Sequence, residues 1–378
     1  MSFYFGKLTE PLLLQFYAIL FFVSFILCLV IILSSGLGFS RRAAVDEVAV
    51  QSAHKGYVPR VGGLAIYISL LGLIPLLSFG FIPVSVVFDI NAAEVSLLIL
   101  SSAPVFLTGL AEDLGYEMKP KTRLVSAAMS SFLAVLFFKI WLTKIGIPGL
   151  DSLLAFVPIA IAFTIFSTVG VVNSFNLIDG LNGFSSYVAV SIAIALSIIF
   201  FEVGNLQMTI FLILLTASVL GFTVLNFPYG KIFLGDGGAY VLGHLLVWSA
   251  IILVNYDTDV SSFAIFLIFF WPVADTGLAI WRRWRLGDPT YRPDRLHFHQ
   301  LVMRFLEIRF LGRDKRQLAN PIATIILIPL VSVPQLFGVM MCKDFAPSVW
   351  VALLMTVLFI FTYIFGVRLA KSSRGLNG

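Results

Sequence analysis

Charge is what this sequence has least of. Lys and Arg total 25 and Asp and Glu total 20 in 378 residues, a charged share of 12%, where a soluble globular chain carries roughly 25%. Cysteine is nearly absent. Cys28 and Cys342 both sit in apolar stretches, which excludes a disulfide scaffold and offers no metal-ligand spacing. What fills the sequence instead is apolar: 59% hydrophobic residues, 37 of them Phe, with a mean hydropathy of +1.00. No water-soluble fold of this size could hide that much apolar surface. A soluble enzyme and a disordered protein are excluded, and an integral membrane protein is implied.

A helical span needs about 20 apolar residues. Eleven runs meet that length, near 12–36, 62–83, 95–111, 124–142, 152–172, 184–203, 208–226, 237–254, 262–281, 322–341 and 347–367. The expected fold is an all-α integral membrane protein of about eleven transmembrane helices, one polytopic domain over 1–378. With the N-terminus outside and the C-terminus cytoplasmic, the inner segments are 37–61, 112–123, 173–183, 227–236, 282–321 and 368–378. They hold 21 of the 25 Lys and Arg residues, and Lys7, Lys139, Lys144 and Lys343 are the remainder. That asymmetry is the mark of cytoplasmic loops. It accounts for a net charge of +5 without a nucleic-acid partner. The inner segment 282–321 is Arg- and aromatic-rich and is expected to hold a short amphipathic helix carrying Leu301, Val302, Phe305 and Leu306 on the membrane surface.

The inner segments are also where the unusual residues fall. The first ends His54-Lys55-Gly56-Tyr57-Val58-Pro59-Arg60-Val61-Gly62-Gly63. The second has Glu112-Asp113, followed by Lys119, Lys121 and Arg123. The third is Asn173-Ser174-Phe175-Asn176-Leu177-Ile178-Asp179-Gly180-Leu181-Asn182-Gly183. The fourth contains Leu234-Gly235-Asp236-Gly237-Gly238. The fifth runs from Asp275 to Arg295-Leu296-His297-Phe298-His299. Singly, each has a plain explanation, since short connections use Gly-rich turns and His-x-His is a weak metal signal. Asp275 differs, because an ionisable group inside an apolar span is costly and is a functional candidate by default.

Together the segments say more. Glu112, Asp113, Asp179 and Asp236 come from three inner segments on one membrane face, and carboxylates gathered there repel one another unless a cation shares the site. Oxygen ligands suit Mg²⁺, with Mn²⁺ as a second choice. Lys55, Arg60, Lys121, Arg123 and Arg295 flank the same face and can hold anionic oxygens. Carboxylates, basic residues and backbone-exposing glycines are the equipment of phosphoryl transfer on a nucleotide or diphosphate.

From His54 to His299 the sequence resembles the polyprenyl-phosphate N-acetylhexosamine-1-phosphate transferases, a glycosyltransferase family 4 type. The likeness is closer to their WecA/TagO branch than to MraY. The resemblance implies transfer of a sugar-1-phosphate from a UDP-sugar to undecaprenyl phosphate, with release of UMP. The setting it implies is the cytoplasmic face of the bacterial inner membrane, where the product starts a cell-envelope glycan such as a lipopolysaccharide O-antigen or a wall polymer. By this resemblance Glu112 and Asp113 match the family's acidic pair, and Asn173, Asn176 and Asp179 match a segment handling nucleotide and metal. Asp236 matches a metal-binding aspartate, so Asp236 and Asp179 are the expected metal ligands and all four carboxylates are candidate catalytic groups. Arg295, His297 and His299 match a loop that recognises sugar and pyrophosphate, and Lys55 and Lys121 match basic positions near the site. Arg60, Asn182 and Asp275 join these as substrate-binding candidates. Two positions depart from the family, which usually has Asp where this chain has Glu112 and Asn182, and the histidine run is one shorter. Undecaprenyl phosphate, a UDP-sugar and the membrane are the expected partners, with no nucleic acid. A homodimer is among the assemblies the sequence leaves open. Two rival readings are a secondary transporter, whose site would lie near the bilayer midplane, and a non-catalytic membrane scaffold.

Overall fold

The computed structural model describes residues 11–34, 44–45, 58–78, 91–287, 296–312 and 315–375. All eleven apolar runs carry helix. In chain order they are α1 (Pro11–Leu33), α2 (Gly62–Ser78), α3 and α4 (Ala92–Ser101 and Ala103–Asp113), α5 (Pro120–Phe138), α7 (Val157–Ile178), α8 (Phe184–Glu202), α9 (Leu206–Asn226), α10 (Gly235–Tyr256), α11 and α12 (Ser262–Ile268 and Phe270–Leu286), α14 (Arg316–Met340) and α15 (Phe345–Gly375). Short α6 (Pro148–Leu154) precedes α7, and α13 (Phe298–Leu306) lies between α12 and α14. Among the described residues, eight helices are long and apolar enough to cross a membrane. Two bent pairs, α3–α4 and α11–α12, pass the same test together, and α2 is a shorter apolar helix. The protein is an all-α, multi-pass membrane protein. Its strand content among the described residues is one two-residue pairing, β1 (Ala44–Val45) with β2 (Val58–Pro59).

The two breaks have a chemical cause. Proline has no amide hydrogen and cannot continue the helical ladder. Pro104 opens α4, and α3 and α4 meet at 42°. Pro272, early in α12, leaves the carbonyl of Ile268 without its usual donor. Gln335 of α14 reaches that carbonyl with Nε2 at 3.4 Å, and α11 and α12 diverge by 84°. A run expected as one span over 262–281 is therefore a sharply broken one.

Burial sorts the helices. The α10 window is 89% buried and α9 and α8 are 78% and 67% buried, whereas α1 and α15 are 22% and 17% buried. The most enclosed helix is thus the one that carries Asp236 at its start. Several segments expected as loops are more helical than the sequence suggests. The run 173–183 is helix as far as Ile178, so Asn173 and Asn176 sit on the last turns of α7. The segment 282–321 contains the end of α12, the whole of α13 and the start of α14. In α13, Leu306 is buried and Leu301, Val302 and Phe305 are partly buried, as an amphipathic surface helix requires.

Candidate active site

The site is built at the first turn of α10, where Gly235-Asp236-Gly237-Gly238 enters the bundle. A helix start leaves backbone N–H groups without intrahelical partners. Asp113, at the end of α4, takes two of them: Oδ1 accepts from the Asp236 amide at 2.8 Å and Oδ2 from the Gly237 amide at 2.9 Å. The negative carboxylate also suits the positive end of the helix dipole. Gly235 has φ +78°, and a Cβ there would meet the Arg60 carbonyl and lie 2.5 Å from Asp113 Oδ2. Gly109 of α4 faces the same turn, and a Cβ on it would lie 2.5 Å from the Gly237 nitrogen. Small residues let the two helix backbones touch.

A second set of backbone bonds brings in Arg60. Phe233 donates to the Pro59 carbonyl at 2.9 Å, Gly62 to the Phe233 carbonyl at 2.9 Å and Gly63 to the Leu234 carbonyl at 2.8 Å. This ladder places Arg60 Nη2 3.7 Å from Asp236 Oδ1. Asn176, from the last turn of α7, donates to the same oxygen at 2.8 Å. Glu112 pairs with Arg123 of α5 and interacts with Asp236 as well. Asp179 follows α7 and accepts from Ser185 at 2.5 Å. Burial pushes the Asp179 carboxyl up to about 6, against the pull of the Ser185 hydroxyl and Arg60, with Asp236 raising it further. Four carboxylates from three inner segments therefore do converge. Their duties differ: Asp113 and Asp179 are engaged with backbone and hydroxyl donors, whereas Glu112 and Asp236 face each other.

The chemistry of this set suits a divalent cation held in part by its substrate. Among the described residues no three His, Cys, Asp or Glu side chains surround one point. Mg²⁺, however, commonly takes one or two carboxylates and completes its shell with water and phosphate oxygens. Glu112 Oε2 is buried with no hydrogen-bond partner, an orphaned acceptor beside Asp236. Asp236 and Glu112 fit that role better than Asp179, the second expected ligand, whose Oδ1 is bonded to Ser185.

The expected histidine segment forms a neighbouring cluster. Asp275 of α12 is 2% exposed. Its Oδ2 lies 2.9 Å from His297 Nδ1 and its Oδ1 accepts from the Phe298 amide at 3.0 Å. Asp275 thereby holds the start of α13. His299 is wholly buried, and burial pushes its imidazole below the ordinary value. Its Nε2 has no hydrogen-bond partner and lies 2.6 Å from where a Gly180 Cβ would be, so this cluster rests on the turn that follows Asp179.

The other candidates divide. Asn182 is 2% exposed. Its side-chain amide donates to the Pro228 carbonyl at 2.9 Å, its backbone N–H to Asn320 Oδ1 at 2.8 Å, and its carbonyl accepts from Thr324. It ties the α7–α8 turn to α14. Asn173 donates back to Val169 of its own helix. Lys121 is exposed in the first turn of α5, two residues from Arg123. Lys55 and Arg295 lie outside the described residues. Ser185, Asn226 and Asn320 are polar supports that sequence reading missed. Asn226 accepts from the Gly183 amide at 2.6 Å and donates to the Ile232 carbonyl at 2.7 Å, and only its place beside the Phe227-Pro228 turn hinted at this.

An apolar trough of about 660 Å³ runs along α7, α10, α11 and α12. It reaches from Leu142 and Ile145, past Phe166, Ile251 and Phe266, to Ser174 and Thr276. Ser174 lies on the same helix as Asn176, so the trough runs along the helix whose last turn reaches Asp236.

Comparison with known proteins places the chain near a group of membrane transferases. Residues 95–254 match the family model described as glycosyl transferase family 4. The chain is 25% identical over 344 residues to the undecaprenyl-phosphate alpha-N-acetylglucosaminyl 1-phosphate transferase of Escherichia coli K12, covering 88% of each chain. It is 27% identical to a probable undecaprenyl-phosphate N-acetylglucosaminyl 1-phosphate transferase of Bacillus subtilis, covering 69% of this chain and 70% of the relative. It is 25% identical to the decaprenyl-phosphate N-acetylglucosaminephosphotransferase of Mycobacterium tuberculosis, covering 70% of each. Over residues 95–254 the chain is thus similar to glycosyl transferase family 4. The matched stretch contains all four clustered carboxylates, while Arg60, Asp275 and both histidines lie beyond it.

Proposed function

We propose that this protein transfers an N-acetylhexosamine-1-phosphate from a UDP-sugar to undecaprenyl or a similar polyprenyl phosphate and releases UMP. The site faces the cytoplasm, by the Lys and Arg distribution, in the bacterial inner membrane. UDP-N-acetylglucosamine is the first donor to test, because the relatives carry that sugar in their names. The observation that carries this reading is a cluster of carboxylates and arginines at the start of α10, in a bundle that also offers an apolar trough along α7, α10 and α12. A polyprenyl phosphate has the same two-part chemistry: a long apolar chain ending in an anion.

The attacking group is an oxygen of the lipid phosphate and the electrophile is the β-phosphorus of the nucleotide sugar. One P–O bond forms, the bond to the α-phosphate oxygen breaks, and UMP leaves. A phosphate monoester has its second pKa near ~6, so it is mostly dianionic at neutral pH and little general base is needed. The obstacle is an anion attacking an anion. Arg60 and Arg123, held by Asp236 and Glu112, supply positive charge at the cluster. Asp236 and Glu112 would hold Mg²⁺, which when bound supplies Lewis-acid neutralisation of phosphoryl oxygens. Asp113 fixes the backbone that presents Asp236, each of its oxygens accepting one amide. One pyrophosphate is exchanged for another, so the reaction is readily reversible.

The test is direct. Purified protein is given undecaprenyl phosphate, Mg²⁺ and a panel of UDP-sugars, and UMP release and lipid-linked product are scored. Formation of product from at least one UDP-N-acetylhexosamine supports the reading, and no product from any member overturns it. The transporter alternative needs a titratable group near the midplane. Among the described residues, Asp275 is bonded to the histidine segment and His244, midway along α10, is bonded to Ser101 at 2.9 Å.

A further inference from the structure

Helix α12 has two working faces. Val273, Thr276, Gly277 and Ile280 line the apolar trough. About 100° of turn per residue puts position 275 on the opposite side. On that side Trp271 meets the Phe298 ring edge-on at 5.1 Å. Asp275 holds His297 and the Phe298 amide, and Arg282 donates to the Leu296 carbonyl at 3.2 Å. One rigid helix, set at 84° to its predecessor, therefore stands between the trough and the histidine segment. Beyond that segment, His299 presses on Gly180, the residue after Asp179.

We infer that Asp275 is a positioning residue that couples occupancy of the trough to the donor side of the site. The inference rests on the transferase reading above. An isoprenoid chain filling the trough packs on one face of α12 and fixes its placement about the break at Phe269. The buried carboxylate on the other face carries that placement to the first turn of α13, and His299 carries it to the Asp179–Gly180 turn. A short acceptor that leaves the trough partly empty fixes α12 less well. The donor sugar nucleotide then meets a less ordered histidine segment. Coupling of this kind requires an element that both sites bias, and α12 is in contact with both.

The experiment measures the KM for the UDP-sugar with a short-chain and with a full-length polyprenyl phosphate, each saturating. In the unaltered protein the long acceptor is expected to lower the donor KM by at least about fivefold, within the usual range of coupling between sites. In Asp275→Asn that difference is expected to vanish, while the KM for the long acceptor stays within about twofold because the trough face is untouched. A donor KM that ignores acceptor length in the unaltered protein overturns the inference, whatever the variants do. A variant that loses kcat equally with both acceptors yet keeps the length dependence also overturns it, since that is the signature of a merely structural carboxylate. If Asp275→Asn does not fold, His297→Gln cuts the same link from the other side and is judged by the same two measurements. Absence of UMP release with either acceptor in the unaltered protein would instead sink the transferase reading itself.

Discussion

Asp113 and Asp236 are joined through the backbone, with the Asp113 carboxylate accepting the Asp236 amide at 2.8 Å while the Asp236 side chain turns toward Asn176 and Arg60. Two aspartates 123 positions apart thus have separate surroundings, one holding the helix start and the other meeting Asn176 and Arg60. Replacing them should produce different failures. Asp113→Ala leaves two buried amides without an acceptor, and stability should fall by about 2 kcal/mol, lowering the thermal midpoint of the detergent-solubilised protein. Asp236→Asn should leave that midpoint nearly unchanged and cut turnover by about a hundredfold or more. Equal melting losses in both variants would show that the division is wrong.

Metal removal tests the pairing of Asp236 with the buried Glu112 oxygen. Chelation with EDTA should abolish UMP release, and Mg²⁺ should restore it, with Mn²⁺ as a substitute. Glu112→Gln should raise the Mg²⁺ concentration needed for half-maximal rate by about tenfold. An unchanged Mg²⁺ requirement in that variant would remove Glu112 from the cation's surroundings.

The trough offers a test that spares the carboxylates. A Cβ on Gly170 or on Gly277 meets nothing within 4 Å, and both residues line the trough. Gly277→Trp therefore fills the trough without forcing the fold. The KM for a full-length polyprenyl phosphate should rise by about tenfold, corresponding to a loss of about 1.4 kcal/mol of binding. Turnover of a short-chain acceptor should change little. An unaltered KM for the long acceptor would place the isoprenoid chain elsewhere.

Gly109 makes the opposite case. A Cβ there has no space, since it would sit 2.5 Å from the Gly237 nitrogen, and neither backbone can yield. Gly109→Ala should cost about 1–3 kcal/mol from overpacking and disturb Asp236 with it. A thermal midpoint equal to that of the unaltered protein would refute the close backbone packing.

The pH dependence follows from Asp179. Its pKa is raised to about 6 by burial while the Ser185 hydroxyl holds it down. A carboxyl raised in the folded state favours its protonated form. Its contribution to stability is full below the ordinary carboxylate range near 3.8 and is lost as pH climbs through about 6. In Ser185→Ala the pull of the hydroxyl is gone, so the pKa rises further. The acid limb of the activity profile should then move to higher pH, and a limb left in place would separate Asp179 from catalysis.

Much of this was readable along the chain, because bilayer solvation acts on local composition. Each of the eleven apolar runs is helical, and the amphipathic α13 lies where its Leu301, Val302, Phe305 and Leu306 spacing put it. Asp275 stood out because a carboxylate in an apolar run needs a partner. Which partner it takes was not legible, since His297 is 22 positions away. Glu112 and Asp113 read as one acidic pair, yet neighbouring positions on a helix point about 100° apart. One faces Arg123 and the other caps α10. Asn182 read as a substrate-binding candidate, and that its Nδ2 donates to the distant Pro228 carbonyl was not legible.

By itself, then, the sequence determined that this is a multi-pass helical membrane protein whose Lys and Arg residues are gathered in alternate connecting segments. Apolar length, the bias of Lys and Arg, and the cost of buried charge act residue by residue and need no knowledge of contacts. Only the tertiary structure decided which carboxylates pair with side chains and which hold backbone, and that α12 stands between the trough and the histidine segment. Those assignments depend on hydrogen bonds and close backbone approaches between distant positions, and such geometry exists only once the helices are packed.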